Sequence, residues 1–153
     1  MKNDLFLLLV ISALIYLPLV AKLGYAYDDW YLMYAAKVKG ASVFQTIFSV
    51  DRPLRTFIMI PAYWLFGEST LWYHIASYFF RLLGAVSFLW TLRLVWNKKE
   101  QKLSTFLMAL FFLIYPGFLS QPNGIDYLSH QVALALAPLS IGLSLQSLLV
   151  ESK

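Results

Sequence analysis

Four stretches of this chain are apolar on all sides for the length of a bilayer-crossing helix, and a fifth is apolar but short. Leu5 to about Leu23 carries no charged side chain before Lys22, and at about 1.5 Å per residue such a run crosses a hydrocarbon core of about 30 Å. A cleaved signal peptide is the competing reading, but the run exceeds the usual h-region and no A-x-A site follows. Leu71 to Trp96 is a second run, interrupted by His74, Arg81 and Arg93, while Leu103 to Leu119 and Val132 to Val150 are the third and fourth. Thr56 to Phe66, with Pro61 inside, would reach only about 16 Å as a helix, which suits an interfacial or re-entrant segment.

The positive residues vote on topology. If Thr56 to Phe66 does not cross, then Lys2, Arg93, Lys98, Lys99, Lys102 and Lys153 all fall on one side, as the positive-inside rule prefers for the cytoplasm. Both termini are then cytoplasmic, Lys22 to Thr70 is one long outside loop, and Ser120 to Gln131 is a second. The long loop has the periodicity of helices. Val43, Phe44, Ile47 and Phe48 recur at helical spacing opposite Ser42, Gln45, Thr46 and Ser49, the pattern of a helix lying in the membrane interface. Asp28 and Asp29 precede another helical stretch, Trp30 to Val38, which Gly40 stops. The expected fold is therefore all-α: a single polytopic membrane module over 1–153, with spans near 5–23, 71–96, 103–119 and 132–150 and interfacial helices in the 24–70 loop.

Composition agrees with the pattern. Of the 153 residues 60% are hydrophobic, 18% aromatic and 13% charged, far from the roughly 25% charge of soluble domains, which excludes a soluble cytosolic enzyme. The absence of cysteine removes disulfide frameworks, thiolate metal sites and thiol catalysis. A net charge of +4 with scattered lysines gives no footprint for nucleic acid.

Three groups of polar residues could carry chemistry. Asp28 and Asp29 sit where the first span leaves the membrane, beside Tyr25, Tyr27, Trp30, Tyr31 and Tyr34. They read either as a helix cap with an aromatic belt or as a partly desolvated general base for a membrane-borne substrate. Arg52, in Asp51-Arg52-Pro53-Leu54-Arg55, could hold a lipid phosphate with its planar fork, or be a surface arginine paired with Asp51. Arg81 lies deep in the second span with His74 seven residues earlier on the same helical face. A charge at that depth costs about 3 kcal/mol or more, so it should face protein or a wet cavity. Its alternatives are snorkelling or a structural pair with Asp126 or the Asp28/Asp29 pair. No His, Asp or Glu spacing resembles a metal site, so neither a metal nor another cofactor is expected.

Taken in order, one span, Asp28-Asp29-Trp30, amphipathic helices, Arg52-Pro53-Leu54, an apolar segment ending in Phe66-Gly67, and Tyr73-His74 resemble the start of a GT-C superfamily membrane glycosyltransferase. The closest likeness is to the tetratricopeptide-repeat O-mannosyltransferase-like branch, related to protein O-mannosyltransferases, where the Y-H is followed by a second His seven residues on; here that position is Arg81. The resemblance covers about Leu5 to Trp96. It implies that Asp28 is the catalytic base with Asp29 at the second acidic position, that Arg52 approaches the donor phosphate, with His74 and Arg81 as further candidates, and that Asp126 is the candidate acid of the second outside loop. It also implies a polyprenyl-phosphate sugar donor, an acceptor protein or glycan, contact with membrane lipid, and further transmembrane helices from the same or another chain, because such enzymes have about ten or more spans. The competing classes are a non-catalytic membrane scaffold or assembly subunit and a small four-span transporter; transporters that couple to protons usually need an intramembrane carboxylate, which none of the four runs carries in its interior.

Overall fold

The computed structural model describes residues 2–115 and 123–151. Its elements are α1 (Lys2–Val20), α2 (Asp28–Lys39), α3 (Val43–Phe48), a 3-10 turn at Pro53–Arg55, α4 (Thr56–Phe66), α5 (Thr70–Val95), a second 3-10 turn at Lys99–Gln101, α6 (Lys102–Ile114) and α7 (Leu128–Glu151), with no strand among the described residues. Among the described residues three helices are long and apolar enough to cross a membrane: α1, α5, and α7 over Leu128–Val150. The expectation of four is corrected to three. The run expected at 103–119 forms α6, only 13 residues and about 20 Å long, and residues 116–119 lie outside the described residues.

The chain divides into two compact units. The first comprises the described parts of Met1–Pro18, Tyr78–Gly117 and Gln131–Lys153. Its core is Leu8, Ala85, Leu89, Ala109 and Leu113, with Leu5, Leu82, Phe88, Phe106 and Phe112 packed around it. Asp4, near the start of α1, accepts from Arg93, near the end of α5, at 3.2 Å, so these two helices run antiparallel. Between α5 and α7 the backbones come close: a Cβ on Gly84 would lie 3.1 Å from the Leu134 carbonyl oxygen, and one on Gly142 would collide with the Trp90 ring. Pro138 interrupts the α7 ladder and its own carbonyl accepts the Thr91 hydroxyl at 2.7 Å. The order of these contacts, Gly84 with Leu134 and then Trp90 with Gly142, makes α5 and α7 parallel.

Arg81 belongs to this unit. Its Nε donates to the Leu113 carbonyl and an Nη to the Tyr115 carbonyl, both at 2.7 Å, and its guanidinium lies 4.6 Å from the centre of the Tyr16 ring. The last carbonyls of a helix have no partner within it and carry partial negative charge; a buried arginine at the end of α6 satisfies them.

The second unit comprises Leu19–Ser77 and the described part of Phe118–His130. Helix α2 begins at the acid pair and ends where Gly40 adopts a φ of 80° and donates its N–H to Ala36 at 2.8 Å, the glycine stop read from the sequence. Helix α3 departs from expectation. Phe44 and Phe48, the face expected in lipid, are 0% and 4% exposed, because Phe44 packs edge-on to Tyr63 at 6.1 Å and Phe48 lies under the Arg55 guanidinium at 4.2 Å. Helix α4 occupies the expected segment and exposes Phe57, Trp64 and Leu65.

Candidate functional site

Three charged residues of the second unit, Asp29, Arg55 and Asp126, meet at the opening of α2. Consecutive helix residues point about 100° apart, so an acid pair at a helix start cannot place both carboxylates in one environment. Here Asp28 is exposed and Asp29 fully buried. Tyr27, just before them, holds a φ of 45°, a left-handed conformation that costs a bulky residue about 1–2 kcal/mol, and its side chain is exposed.

The buried carboxylate is a backbone clamp. Asp29 Oδ1 accepts the Asp126 N–H at 2.7 Å, and Oδ2 accepts the Ala26 N–H at 3.4 Å. Burial pushes the Asp29 carboxyl up from 3.8 to about 6, against the lowering effect of backbone donors at Asp126, Ala26 and Ile125, and the Asp126 charge raises it further. Asp126 is held from a second direction, since an Arg55 Nη donates to its carbonyl at 2.6 Å and to its carboxylate Oδ1 at 2.7 Å. Both partners of that ion pair are largely buried. The Arg55 Nε has no hydrogen-bond partner among the described residues.

Helix α5 holds the same turn from its first two turns. Ser77 donates to the Gly124 carbonyl at 2.8 Å, and His74 reaches the segment before α2 as well, its Nε2 3.4 Å from the Gly24 carbonyl oxygen. The His74 ring lies so close to Gly124 that a Cβ there would overlap it, so the turn at 123–127 needs glycine at that point. Residues 120–122 of the expected second loop lie outside the described residues.

The structure therefore gathers Asp29, His74 and Asp126 of the residues singled out by sequence around the turn at 123–127, with Asp28 exposed beside Asp29 in the chain. Arg52 is in the same unit but exposed, its Nε 3.2 Å from Asp51, while Arg81 belongs to the other unit. Sequence reasoning alone does not distinguish Arg55 from Arg52. The available signal was its place at the head of the apolar segment Thr56–Phe66, where a cation is costly without a partner. Next to Arg52 in the chain, Pro53 lines a shallow groove of about 260 Å³ with Gln45, Ser49, Thr56 and Phe57. Among the described residues no group of His, Cys, Asp and Glu is placed to hold a metal ion. Comparison with protein-family models, with curated proteins and with solved structures gives no match to this chain.

Proposed function

We propose that this chain is a membrane module of an inverting glycosyltransferase that moves a sugar from a polyprenyl-phosphate donor to an acceptor at the extracytoplasmic face. The observation that carries the reading is the division of the acid pair: Asp28 is open to an incoming substrate, while Asp29 is committed to holding the turn at Asp126. In the reaction the acceptor oxygen attacks the anomeric carbon from the face opposite the phosphate. The anomeric C–O bond breaks, the polyprenyl phosphate leaves with the electron pair, and Asp28 takes the acceptor's hydroxyl proton. Arg52, exposed and only weakly paired, stabilises the phosphate charge. Asp29, Arg55, His74 and Asp126 position this site rather than touch the reacting atoms.

The antiparallel pairing of Asp4 with Arg93 supports a topology in which α4 does not cross, since a further crossing between α1 and α5 would make them parallel. The parallel run of α5 and α7 supports a return of the chain between them. With the lysines at 98, 99 and 102 kept inside, the Asp28 site is extracytoplasmic and both termini are cytoplasmic. The direct test is transfer from a polyprenyl-phosphate sugar by the reconstituted enzyme. Arg52→Ala should weaken donor binding and turnover together.

A further inference from the structure

Helices α3 and α4 are held together from within. Phe44 and Phe48, stacked at 6.0 Å and buried, pack against Tyr63 and under the Arg55 guanidinium. On the outer side a groove of about 260 Å³ stays open, lined by Gln45, Ser49, Pro53, Thr56 and Phe57. Arg52 stands between the lining residues Ser49 and Pro53 in the chain. Its N–H donates to the Phe48 carbonyl at 3.1 Å and its own carbonyl accepts from Arg55 at 2.9 Å, which fixes the backbone there while the side chain stays half exposed.

A cation heads the groove and an apolar track leaves it. The Arg52 guanidinium has five N–H donors, and its contact among the described residues runs from Nε to Asp51 at 3.2 Å, which leaves the Nη fork to grip a phosphate. From Phe57, a wall of the groove, exposed Phe57, Pro61, Trp64 and Leu65 follow one another along α4 at helical spacing, opposite buried Met59 and Ala62. No charged residue interrupts Thr56–Phe66. Residues 67–69 alone separate α4 from α5, one of the helices long and apolar enough to cross a membrane, so the far end of the track is tethered to the bilayer boundary.

An amphiphile with an anionic head and an apolar tail matches both ends. Inorganic phosphate would leave the track unused, and a bilayer phospholipid carries two chains beneath its phosphate where a groove one helix pair wide takes one. We propose that this groove seats a single-chain lipid phosphate, its phosphate on Arg52, its first carbons against Pro53 and Phe57, and its tail along Pro61, Trp64 and Leu65 towards the bilayer. The proposal rests on the reading above in making this lipid the donor's carrier; binding of the carrier needs neither sugar nor acceptor. Asp51, beside Arg52, opposes the phosphate by charge.

The test measures equilibrium binding of radiolabelled geranylgeranyl phosphate to the full chain in phosphatidylcholine nanodiscs. Binding is expected, weakened about tenfold or more by Arg52→Ala, which removes the fork, and by Ser49→Trp, which fills the groove from an exposed position. Asp51→Asn should tighten it about threefold, a gain that misfolding cannot produce. Geranylgeraniol, inorganic phosphate and dioleoyl phosphatidic acid should each compete about tenfold or more weakly than unlabelled ligand. Phosphatidic acid competing as well as unlabelled ligand would reduce the groove to an ordinary anionic-lipid contact, and inorganic phosphate doing so would reduce it to an anion site. Either result overturns the proposal, as does binding indifferent to Arg52→Ala, Asp51→Asn or Ser49→Trp. Binding with these dependences in a chain that transfers no sugar would uphold the groove and count against the transferase; transfer undiminished in Ser49→Trp would do the reverse.

Discussion

The backbone amide of Asp126 donates to the carboxylate of Asp29 at 2.7 Å, joining positions 97 residues apart in the chain. This bond ties the turn at 123–127 to the first turn of α2, and the Arg55 ion pair ties the same turn to the head of α4. The exposed acid of the pair is thus carried on a helix whose buried acid fixes the surroundings.

Removing the clamp should cost stability with a definite dependence on pH. The Asp29 carboxyl rises from 3.8 in the unfolded chain to about 6 in the fold, so the folded state binds its proton more tightly. That contribution is complete below the unfolded value and is lost as pH climbs through about 6. Relative to Asp29→Asn, the parent should therefore lose thermal stability between about pH 4 and pH 7. A constant difference in melting temperature across that range would count against the buried placement of Asp29.

Breaking the ion pair should be more severe than disturbing the exposed arginine. Arg55→Ala leaves Asp126 buried without its cation, a loss of about 3–5 kcal/mol, whereas Arg52→Ala removes an exposed contact worth about 1 kcal/mol or less. Denaturation in detergent checks the order of the two.

The distribution between what the sequence revealed and what it did not follows from what patterning encodes. Segment 56–66 and the Gly40 stop are local properties, set by hydrophobicity and backbone preference, and the helices have those bounds. The apolar face of α3 is equally legible, but periodicity says that a face is covered and not by what; Tyr63 and Arg55 cover it here. Arg81 reads as a costly charge, while its partners are backbone carbonyls, which have no side-chain signature. The Asp29 to Asp126 contact crosses most of the chain, and no local spacing marks it. Asp126 was reachable only as the acid of the second loop, and Arg55 was masked by a neighbouring arginine that matched a motif.

Arg81→Leu should release the end of α6. Leu113 and Tyr115 carbonyls would lose charged donors, at a cost of about 1–3 kcal/mol, and Arg81→Lys should recover part of it by supplying fewer donors. Equal stability of Arg81→Leu and the parent would contradict the capping role.

The cysteine-free sequence suits topology mapping by single introduced cysteines. Ser42→Cys and Gly67→Cys should react with an impermeant thiol reagent from outside, and Asn97→Cys only after permeabilisation. Opposite sidedness for positions 42 and 67 would mean that α4 crosses.

The most direct measurement of the central claim is turnover of Asp28→Asn and Asp29→Asn in the complete enzyme, with a polyprenyl-phosphate sugar as donor and folded protein matched between samples. Asparagine keeps the shape but cannot accept a proton, so Asp28→Asn should lower turnover by roughly 10²-fold or more with donor binding nearly unchanged, and Asp29→Asn should act chiefly on stability. Near-parental turnover by Asp28→Asn would contradict the assignment of Asp28 as the base, and near-parental turnover by both would contradict the transferase mechanism itself.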